Sequence, residues 1–488
     1  MPNPVASALL GVCSLFLLPA AGRGVDPPTG LQAEVRVKQP TRLDWEFVAS
    51  GFGKEAAKLP ADFDSLKQRF QLYVPKSYDA ARAWPLLVFI SPGDAPLGWR
   101  YWQKVCEENR MLFCAPYGAG NNCPPGPRTR IVLDMLDQVR RDYRIDPERT
   151  YLTGFSSGGR MACAIGFALP EYLGGVIPVC GTNPLNRLDY LRHRVHDRLS
   201  VAFVTGESDF TRAESEQYLF PMFQELGIRS RLWVVPKLGY GIPGPAVLAE
   251  VRKWLEEDLA RRRQDVKTQP TLACPPDDAL TSRKLASRAL EAAQANLKKD
   301  DRLWRGVALL QGIVARWGRI EEAEKARKRL AEVKEDPKRQ RLADEQGGKE
   351  TRTLLQARGK ALDRFGQTVA ALREWKALAQ QYPDTPEGRK AAEEVRRLAK
   401  VLATRPYLGI SFAGESVVVD KVVSDGPADR AGVQPGDRLR ALGAVKLQTF
   451  ADLRRALEKL KPGDKVKLEV ERKDKTLTLT VEVGSPPA

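Results

Sequence analysis

Two hydrophobic rhythms alternate along the first half of the chain. Short apolar runs at Phe70 to Val74, Leu86 to Ile90, Met111 to Ala115, Thr150 to Thr153, Gly175 to Val179, Val201 to Thr205 and Arg231 to Val235 read as buried strands. Between them, Ile131 to Tyr143 sets Val132, Met135, Leu136, Val139 and Tyr143 on one helical stripe, and Val247, Val251, Trp254 and Leu255 form another. Strand followed by helix, repeatedly, predicts an α/β domain over residues 40–265 with a doubly wound, mostly parallel sheet.

The rhythm then changes. After a polar, Pro-containing linker from Thr268 to Asp278, residues up to 403 repeat Ala, Leu, Lys, Arg and Glu at helical period. Ala308 to Val333 parallels Ala370 to Val395, predicting paired α-helical hairpins about 65 residues apart. Lys334 to Lys349, with Pro337 and Gly347-Gly348, predicts a flexible break between them. Residues 404–484 turn strand-rich, with one helix from Phe450 to Leu460 and final strands at Lys465 to Glu471 and Thr476 to Val483.

The chain start adds a location. Val5 to Leu18 is apolar and precedes Pro19-Ala20-Ala21-Gly22, which predicts a secretory signal over residues 1–24 and a secreted or periplasmic protein. That run is short for a stable membrane span, and an uncleaved anchor is the alternative reading. Six cysteines follow it (Cys106, Cys114, Cys123, Cys163, Cys180 and Cys274), a set that permits disulfides in an exported protein. Cys163 and Cys180, in a predicted helix and strand, fit buried free thiols equally well. The formal net charge of +17 does not call for nucleic acid, because the basic residues interleave with acids, as in Glu321 to Arg327, and nucleic-acid motifs are missing. Nothing in the sequence calls for a metal or cofactor.

The candidate chemistry centres on Tyr151 to Arg160. Here Ser156 stands in a Gly154-x-Ser156-x-Gly158 frame between a predicted strand and a predicted helix, the setting of a nucleophile elbow. In such a sheet, partners gather at the carboxyl ends of the strands. Asp209 follows the strand Val201 to Thr205 and is the candidate acid; the alternative is a carboxylate that caps the next helix.

The elbow GFSSGG, the strand GGVIPVCG, the loop VAFVTGESD and the segment VVPKLGYGIPG resemble the polyhydroxybutyrate depolymerase and feruloyl esterase-like group of α/β-hydrolases over roughly residues 65–262. The resemblance implies an ester or polymer substrate, a catalytic His after the last strand, and oxyanion donors at the Ser157 and Gly93 amides. The chain departs from that pattern twice. Tyr240, in Gly239-Tyr240-Gly241, stands at the His position, and Ser91-Pro92-Gly93-Asp94 replaces a His-Gly pair. A serine hydroxyl needs a base that titrates near the working pH, whereas a phenol titrates near 10. The two histidines, His193 and His196, precede the strand Val201 to Thr205, so they belong at its amino end, on the order of 16 Å from the serine.

The tail resembles a PDZ domain of bacterial envelope proteases through Tyr407-Leu408-Gly409-Ile410, Gly426-Pro427-Ala428-Asp429-Arg430-Ala431-Gly432-Val433 and Gln434-Pro435-Gly436-Asp437. That resemblance implies a loop, Tyr407 to Ile410, that receives the C-terminus of a peptide or protein, and a following strand that pairs with it. A packed module that only positions domains is the alternative. The middle segment YPDTPEGRKAAEEVRRL looks like a tetratricopeptide-type unit. Three functions therefore stand open: an exported esterase using an unidentified base, a weakly active or inactive hydrolase fold that binds a ligand, and a scaffold acting through the PDZ-like end.

Overall fold

The computed structural model describes residues 28–49, 58–268, 282–412 and 416–486. The predicted signal (1–24), Cys274 and most of the predicted linker lie outside the described residues. No helix among the described residues is long and apolar enough to cross a membrane.

An eight-stranded sheet organises the first half: β1 (Gly30–Arg36), β2 (Arg69–Val74), β3 (Trp84–Ile90), β4 (Leu112–Pro116), β5 (Ile145–Phe155), β6 (Gly175–Val179), β7 (Ser200–Gly206) and β8 (Ser230–Val235). Their spatial order is β1-β2-β4-β3-β5-β6-β7-β8. β2 pairs antiparallel with both β1 and β4, and the pairs from β4 through β8 are all parallel, which is a doubly wound α/β arrangement. β1 escaped the sequence pattern because it is an edge strand with little of it buried.

In β3 all of Trp84–Ile90 is buried. Leu86, Val88 and Ile90 enter one core while Leu87 and Phe89 enter the other, as a strand with period two requires. The first core is covered by α1 (Trp45–Ala49), α3 (Pro125–Asp142), α4 (Ser157–Ala168), α5 (Asp189–Arg198) and α6 (Phe220–Glu225). The second is covered by α2 (Trp99–Glu108) and α7 (Pro245–Glu257), and α8 (Leu259–Thr268) closes the domain.

The helical middle consists of α9 (Ser282–Leu297), α10 (Leu303–Trp317), α11 (Glu321–Glu335), α12 (Pro337–Arg364), α13 (Thr368–Gln381) and α14 (Pro386–Ala403). The expected flexible break over Lys334 to Lys349 is overturned, because most of it is the first half of the continuous 28-residue α12. Asp336 caps that helix, accepting from the Lys338 and Arg339 amides at 3.0 and 3.1 Å, and Pro337 takes its first position. Gly347 is not a breaker but a packing residue: a Cβ there would lie 2.9 Å from the Trp304 ring.

Nor does the helical region stand apart. Leu355, Trp375 and Leu378 share the core that holds α3 and α4, and Tyr218 stacks on Phe365 with ring centroids 5.7 Å apart. Arg316 of α10, 1% exposed, pairs with Asp44 and with Glu171 of the α/β domain, both at 2.6 Å. Arg194 meets the same Glu171.

The tail has its own core. β9 (Ile410–Phe412) and β10 (Val419–Val422) form one small sheet. α15 (Pro427–Arg430) follows, and then β11 (Arg438–Leu442), β12 (Val445–Lys446), α16 (Phe450–Leu457), β13 (Lys465–Arg472) and β14 (Lys475–Glu482) supply a sheet in the order β12-β11-β13-β14.

Candidate functional site

Ser156 joins β5 to α4 with φ +57° and ψ −123°, a conformation that L-residues rarely hold. The surrounding glycines make the turn possible by close approach. A Cβ on Gly158 would lie 2.0 Å from the Ile90 carbonyl oxygen, and one on Gly154 would lie 2.4 Å from the Gly158 carbonyl carbon. The Ser156 amide is tied to Val179 O at 2.8 Å, so the hydroxyl is mounted at the carboxyl edge of the sheet.

Tyr240 meets the serine directly. Its phenol donates to Ser156 Oγ, and its ring lies between Phe155 and Phe210, with centroids 5.0 and 4.6 Å away. Phe210 is 75% exposed, so this aromatic row opens to solvent.

Asp209 is buried beyond β7, but its bonds are local. It accepts from Thr205 Oγ1 at 2.6 Å, the Thr211 amide at 2.8 Å and Thr211 Oγ1 at 2.9 Å. The Cys180 thiol lies against the same carboxylate and donates to Gly241 O at 3.3 Å; burial, followed by the bond to Asp209, pushes it up to about 12. It is therefore a neutral thiol at physiological pH. The five described cysteines, Cys106, Cys114, Cys123, Cys163 and Cys180, are all free.

On the other flank, Ser157 opens α4, and its hydroxyl donates to Asn121 Oδ1. Arg128 of α3, 6% exposed, donates to Ser157 Oγ at 3.2 Å and to the Ser91 carbonyl at 3.1 Å. Burial lowers this guanidinium from its ordinary value. The Gly93 amide donates to Ser91 Oγ at 3.1 Å, so in this geometry its hydrogen serves its own loop. Asp94 accepts from the Gly120 amide at 3.2 Å.

The sequence carries no sign of Arg128, Asn121 or Thr211 at this site, and marks Cys180 only as a cysteine that fits a buried free thiol. Cys180 and Thr211 lie next to strand ends that the pattern did locate. Arg128 and Asn121 carry no periodic signal, since a buried arginine beside the elbow arises only once α3 is packed. His193 bonds Glu350 at 2.6 Å and His196 bonds Asp197 at 3.0 Å, both on the helix that enters β7. The histidines thus stay at the amino end of that strand.

In the tail, Gly409 holds φ +78°, a conformation suited to glycine, and its carbonyl accepts from Val423 N at 2.8 Å. Tyr407 exchanges backbone bonds with Gly484 at 2.9 and 3.0 Å, so its amide is occupied. Among the described residues, the amides of Leu408 and Gly409 have no backbone acceptor. Ile410 begins β9, and Phe412 packs edge-on against Phe450 of α16 with ring centroids 5.6 Å apart.

Residues 406–483 match the family model described as PDZ domain. A probable periplasmic serine endoprotease DegP-like from Pseudomonas fulva (strain 12-X) is 41% identical over 71 residues, 14% of this chain and 15% of that protein. A poly(3-hydroxybutyrate) depolymerase from Ralstonia pickettii is 30% identical over 90 residues, 15% of this chain and 18% of that protein. The chain thus spans under a fifth of the length of these relatives. A solved ferulic acid esterase aligns at 13% identity with a TM-score of 0.34, over 41% of this chain and 95% of that one.

Proposed function

We propose that this is an exported, esterase-like protein whose serine centre is weakly active or inactive, and whose PDZ domain captures peptide C-termini. One observation carries the first half: the group that contacts Ser156 Oγ is the Tyr240 phenol, and it donates. A donor at that position stabilises the hydroxyl as it is, whereas nucleophilic attack requires an acceptor for the serine proton. Triads lose most of their rate when one member is removed, retaining roughly 10³ to 10⁴ over water. Asp209 supports the same reading, because Thr205, Thr211 and the Cys180 thiol all bond its carboxylate.

For the tail, the amides of Leu408 and Gly409 stand ready for a carboxylate, and β9 is a short strand beside α16. Export is supported by the leader-like residues 1–24 and by the likeness of the tail to probable periplasmic DegP-like endoproteases.

Hydrolysis of short p-nitrophenyl esters by the full chain tests the enzymatic half. Turnover close to the Ser156→Ala background is expected, and clear turnover that Ser156→Ala abolishes would defeat the proposal. Titration with fluorescent C-terminal peptides tests the other half, and no binding across a diverse set would return the tail to a packing role.

A further inference from the structure

Away from the serine centre, the α/β domain and the helical region flank a solvent-open cavity of about 570 Å³ between α5 and α6 on one side and α10 and α12 on the other. Its size falls within the range of small-molecule sites, which favour domain interfaces. Both histidines of the chain line it, together with four cationic side chains and three acidic ones.

The acids are largely spoken for. Glu350 is bonded by His193 at 2.6 Å and lies 3.9 Å from Arg192, and Glu225 pairs with Lys360 at 3.5 Å. On the cationic side, Arg305 pairs with Asp197 across the interface. Arg302 is held only by its neighbour Asp301, at 3.8 Å, and Lys349 has no carboxylate partner among the described residues. Arg302 and Lys349 therefore face the same space with charge to spare. Trp304, Leu226 and Ile228 supply an apolar wall, and Trp304 is fixed by its indole bond to Asp189 at 2.9 Å.

We infer that this interdomain cavity binds a small organic polyanion, carrying phosphate or carboxylate groups that Arg302 and Lys349 engage and an apolar part that rests on Trp304. Charge-assisted bonds from lysine and arginine are the chemistry such groups select. Because the lining comes from both domains, a bound anion ties them together and raises the stability of the whole unit. This site is independent of Ser156, since it opens at the end of the sheet that the two histidines mark.

Calorimetric titration of the full chain with sodium pyrophosphate, and separately with citrate, tests the assignment and distinguishes phosphate from carboxylate. Saturable binding of at least one probe is expected, weakened tenfold or more in the Arg302→Gln/Lys349→Gln double variant. Both positions are exposed, so the variant should fold, and a melting curve checks that it does. Lys349→Glu, a single charge reversal on the same face, should weaken binding as well. No binding of either probe tighter than about 10 mM, or binding that both variants retain, would overturn the proposal.

Discussion

The Tyr240 phenol donates its hydrogen bond to Ser156 Oγ, so the serine at the β5–α4 turn is an acceptor in its own site. The elbow keeps its strained backbone and its close-packed glycines while its neighbour stabilises the ground state of the hydroxyl. Fold and activation are separable features of this centre.

Tyr240→His should therefore raise hydrolysis of p-nitrophenyl acetate, by about tenfold or more if the imidazole reaches the serine. A histidine base works when neutral, so the gain should grow as pH rises through about 6.5. Adding Ser156→Ala should erase it. Lack of any gain would place a second defect in the loop where Arg128 holds Ser91 O and Ser157 Oγ.

Arg316→Ala should be among the most damaging changes to stability. The guanidinium is buried between Asp44 and Glu171, and its removal leaves carboxylates facing one another with less compensation. A loss of about 3–5 kcal/mol is expected for a broken buried pair. Urea denaturation of the two proteins side by side measures it.

In the PDZ domain, Asp437 is bonded at 2.7 Å by both Arg472 Nε and Nη2. Burial alone would raise this carboxyl, but the Arg472 bonds and charge outweigh it and hold it below its ordinary value. A depressed carboxyl stabilises fully above its unfolded pKa, near 3.9, and that contribution is lost as pH falls through the lower folded value. Asp437→Asn should destabilise the domain by about 1–3 kcal/mol at pH 7, with the gap from wild type closing below about pH 4. Hydrogen exchange over residues 416–486 at several pH values reads both.

Gly409→Ala meets ordinary contacts, the nearest being Tyr407 Cε1 and Val423 Cβ at 3.5 Å, so its penalty is conformational. Forcing an alanine to φ +78° should cost about 1–2 kcal/mol. It should also disturb the amides beside it, so peptide affinity, read by fluorescence anisotropy, should fall several-fold. Unchanged affinity would take the Tyr407 to Ile410 loop out of recognition.

Much of this was legible in the chain. The seven predicted strands all lie in the observed sheet; β3, β4, β6 and β7 are buried on both faces and so continuously apolar, and β2 alternates as a half-buried antiparallel strand does. Edge strand β1 was not, since little of its surface is buried to leave a pattern. The break expected at Lys334 to Lys349 failed for a related reason: Pro337 and Gly347 weaken a helix in isolation, whereas Pro at the first position costs nothing and Gly347 makes room for the Trp304 ring.

The sequence by itself determined the sheet, the elbow and the PDZ module, because each rests on local pattern: apolar period, glycine at tight turns, motif spacing. Through the resemblance it also put Tyr240 where a histidine is expected. Only the tertiary structure decided what that tyrosine does, that Asp209 serves Thr205 and Thr211, that Arg128 stands beside the serine, and that α10 and α12 close a charged cavity against α5. Those are contacts between side chains 29 to 157 positions apart, or choices among several partners within reach, and no local periodicity encodes them.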